Sequence, residues 1–146
     1  MTFDFKGSVV VVRRKDSGKP EGVESRYAGA PHPLPAIPVR AGDAVYDAHI
    51  DTGAPRALTF PRAAAEKLPL AGPLEEAGVA RVNNNEIKLY KATISGVVEV
   101  GPLRLENPEV RFMDSPSAVN VGMELLRELA ITLDPAEKRL WVAKAQ

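Results

Sequence analysis

The stretch AVYDAHIDTGA (residues 44–54) limits the fold more tightly than any other part of the chain. An alternating, partly apolar strand breaks abruptly into Asp51-Thr52-Gly53-Ala54, which leaves a carboxylate, a small hydroxyl residue and a glycine at a strand end. The residues before it, AIPVRAGD, supply a second strand, with Gly42-Asp43 as the turn between the two. A strand pair that ends this way belongs in a sheet whose faces are covered, so the rest of the chain must supply more strands.

It does. GVARVNNNEIKLYKATI reads as a hairpin whose asparagine run tolerates positive φ, and VVEVGPLRLENPEVRFM as another, broken at Gly101-Pro102. ITLDPAEKRLWVA reads as two strands around an Asp-Pro turn, and the apolar run ending at Val12 extends an N-terminal strand back to Phe3. Only two segments suggest helix. FPRAAAEKLP places Pro61 at a first helical position and Pro69 as a stop, and GMELLRELA puts Met123, Leu126 and Ala130 on one face with Glu124, Arg127 and Glu128 outward. Residues 14–35 are rich in Gly, Pro and charge and read as an exposed arm or long loop. The expected class is mainly β, a small closed sheet structure with one or two short helices.

Composition removes several functions. A chain of 146 residues is one domain by length, and its 19 basic and 19 acidic residues give no field to attract nucleic acid or an anionic membrane. Without cysteine there is no disulfide, thiolate metal site or cysteine nucleophile. The N-terminal apolar run, Val9 to Val12, is too short for a signal-peptide core or a membrane span, so a cytoplasmic protein is expected.

The four residues from Asp51 to Ala54 admit three readings. As a plain turn, the Asp51 carboxylate accepts backbone amides and does no chemistry. As a metal site, Asp47, His49 and Asp51 alternate and so share one strand face, offering two carboxylates and an imidazole. As half of a hydrolytic site, Asp51 needs a second carboxyl beside it. Two such groups share one proton, so one can activate water while the other protonates a carbonyl, with no metal or cofactor. A second match to Asp-Ser/Thr-Gly exists at Asp16-Ser17-Gly18, but charges flank it on both sides, so it reads as a solvated turn.

In order along the chain, these motifs resemble the retropepsin-like aspartic peptidases, single-lobe relatives of pepsin that work as homodimers. LPAIPVRAGDAVYDAHIDTGA is similar to the strands leading into that family's catalytic loop, VARVNNNEIKLYKATI to its flap hairpin, and VNVGMELLRELAITLDPAEKRLWV to its second signature. The resemblance implies a small closed barrel over residues 34–146, preceded by an N-terminal strand and Pro/Gly-rich arm at 1–33. It implies hydrolysis of a peptide or protein substrate by a dyad of Asp51 from two subunits, within the loop Asp51-Thr52-Gly53. Ala54 and His49 would border the substrate, Asn83, Asn84 and Asn85 would form the flap tip over it, and Val121 and Gly122 would support the loop from below. Phe3–Val12 and Leu140–Ala143 are the strands expected to pair across the dimer.

Three positions depart from that pattern. His49 stands where the family carries an apolar residue; if protonated, it would favour the charged form of a neighbouring carboxylate. Asn120 takes the first place of a hydrophobic pair, where a buried amide must find a partner or cost about 1–3 kcal/mol. The flap tip is Asn-Asn-Asn and lacks glycine. Arg56, two residues past Ala54, could reach a substrate or a partner subunit as readily as solvent. These departures leave a second reading open, a catalytically silent copy of the fold that dimerises or binds peptide.

Overall fold

The computed structural model describes residues 1–14, 18–27, 34–82, 84–114 and 118–146. In chain order its elements are β1 (Thr2–Asp4), β2 (Val9–Val11), β3 (Val23–Arg26), β4 (Ala36–Ala41), β5 (Ala44–Ile50) and β6 (Leu58–Pro61). A 3-10 helix (Arg62–Lys67) follows, then β7 (Glu75–Val82), β8 (Asn85–Thr93), β9 (Val97–Val100), β10 (Leu103–Glu106), β11 (Glu109–Met113) and β12 (Asn120–Val121). The chain closes with α1 (Met123–Leu126), β13 (Leu129–Asp134) and β14 (Arg139–Lys144). The molecule is mainly β, as the strand patterns predict.

A nine-stranded sheet runs in the order β10-β9-β4-β5-β12-β6-β11-β8-β7, and a five-stranded sheet in the order β2-β1-β13-β14-β3. Local hairpins follow the turn residues: β4 and β5 reverse at Gly42, whose φ of 60° suits glycine, and β7 and β8 at Asn84, with φ 67°. The larger sheet is closed by a long-range insertion. β5 and β6 are consecutive strands that do not pair with each other. Instead β12 lies between them, parallel to β5 and antiparallel to β6.

Both sheets feed one buried cluster. Ile37, Val39, Leu58, Phe60, Val98, Val100, Phe112 and Val121 come from the larger sheet, and Leu129, Ile131, Leu140 and Val142 from the smaller. Phe60 sits at its centre, 5.4 Å from the Tyr46 ring in an edge contact and 5.8 Å from Phe112. Side chains this size each contribute roughly 1.5–3 kcal/mol when fully buried.

Several elements differ from the sequence expectation, each for a tertiary reason. The alanine-rich helix is a 3-10 helix, and Pro61 ends β6 before it. The helix after Gly122 stops at Leu126, because Leu129 and Ala130 join β13, which pairs β1 on one side and β14 on the other. The Phe3–Val12 strand is two strands, folded back where the Gly7 N–H bonds Oδ1 of Asp4 (2.9 Å) and Ser8 takes a φ of 54°. Within the 14–35 segment, Val23–Arg26 is a strand rather than loop, and it pairs β14. The Gly101 break does separate a hairpin, β9–β10, but β11 leaves it to pair β8 and β6.

Candidate active site

The site grows out of that insertion of β12. Asp51 is the first residue past β5, and its N–H donates to the Val121 carbonyl (2.9 Å), while His49 N–H donates to the Val119 carbonyl (2.8 Å). The chain then turns sharply, with the Ala54 N–H returning to the Asp51 carbonyl (3.2 Å). Beyond the turn, the Met123 N–H reaches the Ala54 carbonyl (2.8 Å) and the Gly122 N–H reaches the Ala57 carbonyl (2.9 Å). The loop from Asp51 to Ala57 is therefore stitched along its length to the segment from Val121 to Met123.

That stitching explains Gly122. Its φ is −102°, which any residue can adopt, so backbone freedom is not the reason for glycine here. A Cβ there would instead collide with the backbone oxygens of Arg56 and Ala54. Val121 beside it is fully buried. At Val121 and Gly122 the loop therefore meets a close backbone approach over an apolar seat.

The Asp51 carboxylate is half-buried, and each of its oxygens holds one donor. Oδ1 accepts the Gly53 N–H (2.9 Å), and Oδ2 accepts Nδ2 of Asn120 (3.2 Å). His49 is cross-strand neighbour to Asn120, so the two side chains share the sheet face that leads to Asp51. Thr52 and Gly53 are exposed, Ala54 is half-buried, and Arg56 is exposed. On the α1 side of the loop, Thr52, Gly53, Pro55, Met123, Glu124 and Arg127 line an open depression of about 390 Å³.

The metal reading of Asp47, His49 and Asp51 does not survive. Among the described residues no three His, Asp or Glu side chains are grouped so as to hold an ion, and Asp47 points to solvent two residues before His49. Asn84 and Asn85 are exposed at the tip of the β7–β8 hairpin, which β12, β6 and β11 separate from β5 in the sheet. Asn83, Asp16 and Ser17 lie outside the described residues.

Two features escape the sequence reading. Asn120 stands out there only as a polar misfit in a hydrophobic pair, yet it is a direct partner of Asp51. Its signal was the misfit itself: a partly buried amide in an apolar setting must bond something close by. Glu124 and Arg127, taken as outward helix residues, line the depression against the Asp51 loop.

Comparison with known proteins agrees with this geometry. Residues 37–125 match the family model described as aspartyl protease. No curated protein matches the chain in sequence. Among solved structures, a retropepsin-like aspartic protease from Rickettsia conorii superposes with a TM-score of 0.61 at 19% identity, covering 84% of this chain and 100% of that one. With its strand-end Asp-Thr-Gly-Ala loop seated on an inserted strand and glycine, and with more than half its length matched, the chain belongs to the aspartyl protease family and has the retropepsin-like fold.

Proposed function

We propose that the protein is an aspartic endopeptidase that works as a homodimer. The observation that carries the reading is the Asp51 carboxylate: half-exposed, fixed at a strand end, and bonded at both oxygens by neutral donors. A carboxylate so held is oriented for chemistry rather than consumed in an ion pair. Water held between two copies of Asp51 would be deprotonated by one and the peptide carbonyl protonated by the other, the two then exchanging roles. Thr52 would donate across the twofold axis, which its exposure allows. Ala54 and His49 would border the bound peptide, and the hairpin around Asn83 to Glu86 would cover it.

The second copy needs a surface to pair with. From Arg139 to Val142, β14 has β13 on one edge and β3 on the other, so Leu140–Ala143 is unsuited to the sheet pairing across the dimer expected of it. β2 is the better candidate. It ends the smaller sheet, and Val9, Val10 and Val11 are exposed along it, with Val12 exposed just beyond. In this reading residues 34–146 form the peptidase unit and 1–33 carry the dimer strand and arm. Among the described residues no helix is long and apolar enough to cross a membrane, and the cytoplasm is the proposed location.

The test is a peptide-library digest with wild type and Asp51→Asn from mildly acid to neutral pH, read by mass spectrometry, with sedimentation of wild type and Val10→Lys. Cuts made only by wild type are expected, and a lighter species for Val10→Lys. No cutting by a wild-type dimer would favour the silent peptide-binding reading, for which His49 and the glycine-free flap tip already speak.

A further inference from the structure

We infer that Asn120 is a positioning residue for the Asp51 carboxylate, orienting it and holding its Oδ2 from a strand outside the Asp51 loop. The two donors on Asp51 are not equivalent. Gly53 lies in the same turn, so its N–H moves with the carboxylate it bonds. Asn120 is 69 residues away in sequence, and its side chain approaches from β12. β12 is fixed by backbone bonds on both sides of Asn120, from His49 N–H to the Val119 carbonyl and from Asp51 N–H to the Val121 carbonyl. The amide is thus held level with His49, two residues of register behind Asp51, and reaches forward to Oδ2. Two donors from independent segments fix the plane of the carboxyl group, where one would leave it free to swing.

The chemistry of the amide suits this task. An ionised carboxylate only accepts, so the NH2 end of Asn120 must face it. A neutral donor favours the charged form without forming an ion pair. When the facing oxygen carries a proton, rotation of the same amide would present Oδ1 as an acceptor. One residue type can therefore serve both a charged and a protonated copy of Asp51. A hydrophobic residue, which the resemblance implies at this place, could serve neither. This role rests on the proposed catalytic use of Asp51, whereas the hydrogen bond beneath it does not.

Two measurements separate them. In the full-length protein, the Asn120 side-chain NH2 signals in a nitrogen-15 NMR titration should move with pH, and this dependence should vanish in Asp51→Asn. Signals insensitive to pH in the wild type, or unchanged by Asp51→Asn, would overturn the inference whether or not the protein cuts peptides. Where wild type does cut, Asn120→Leu should keep the wild-type Tm and KM within about twofold. Its kcat should fall about tenfold, the scale of one hydrogen bond to a charged group, with the pH–rate profile displaced to higher pH. Asn120→Asp, which keeps the shape but loses the donor and adds a like charge, should displace the profile further the same way. Superimposable profiles for wild type and both variants would also overturn it. If wild type cuts nothing, the peptidase reading fails by itself, and the NMR titration alone decides the role of Asn120.

Discussion

The cradle of Asp51 and the β7–β8 hairpin are built on opposite plans within one sheet. The cradle is held by backbone bonds between segments far apart in sequence, with Val121 buried below and Gly122 pressed against the loop. The base of the hairpin is anchored where Leu89–Thr93 of β8 pairs β11, but its outer half is held by its own local ladder and by surface ion pairs, Arg81 with Glu86 (3.5 Å) and Lys88 with Glu76 (3.4 Å). Both pairs are well exposed on each side, and such pairs contribute about 0–1 kcal/mol. What orients the carboxylate is therefore long-range and over-determined, while what would cover it is local and loosely fastened. If the outer half of the hairpin covers a substrate, as proposed, it could open and close without disturbing Asp51.

Two glycines sharpen the comparison, because the same substitution should fail for different reasons. Gly122→Ala forces a methyl group into the Arg56 and Ala54 carbonyls, where only backbone could give way. It should cost about 3 kcal/mol in urea unfolding and remove peptide cleavage along with it, since the Asp51 loop must shift. Gly78→Ala adds a methyl at the irregularity in β7, where φ is 108° and nothing lies within 4 Å. Only backbone strain opposes it, so the loss should be about 1–2 kcal/mol, with the Asp51 loop untouched. Equal losses at the two positions would show that the cradle is no more constrained than the flap.

Below these comes the surface. Arg81→Ala should change stability by less than about 0.5 kcal/mol, because its partner Glu86 stays hydrated. The informative readout is KM with a cleaved peptide. If the hairpin covers substrate, KM should move while the unfolding midpoint does not.

The same division explains what the sequence could and could not reveal. Hairpins were legible because each is local: Gly42, Gly101 and the asparagine run mark the reversals. Asp51-Thr52-Gly53 drew notice because the NNN hairpin and the Val121-Gly122 segment follow it in order, since the tripeptide alone fits a plain turn. The insertion of β12 was not, since a two-residue strand has no periodicity and its pairing with β5 spans about half of the chain. For that reason Asn120 read as a misfit instead of a partner. The helix beyond Gly122 was overextended because GMELLRELA has helical spacing, yet pairing of Leu129 and Ala130 with Lys144 and Ala143 outweighs it. The N-terminal strand was drawn too long because nothing in its apolar run announces that Ser8 will adopt a positive φ.

β5 carries the contrast down to single atoms. Just past its end, both carboxylate oxygens of Asp51 are bonded. On its inner face, the Tyr46 hydroxyl is buried against the core with no hydrogen-bond partner. Burial pushes this phenol above its ordinary value. Because folding raises the value, the stability linked to the neutral phenol is fully present below the unfolded pKa, about 10, and is lost as pH rises through the folded one. Tyr46→Phe keeps the ring and its edge contact with Phe60 while deleting the unpaired hydroxyl. At neutral pH it should be neutral or stabilising by up to about 1 kcal/mol, and above about pH 10 its advantage over wild type should widen. Urea unfolding of the two proteins at both pH values measures this. A loss above about 1 kcal/mol at neutral pH would mean that the hydroxyl is bonded, and that it is satisfied as the Asp51 carboxylate is.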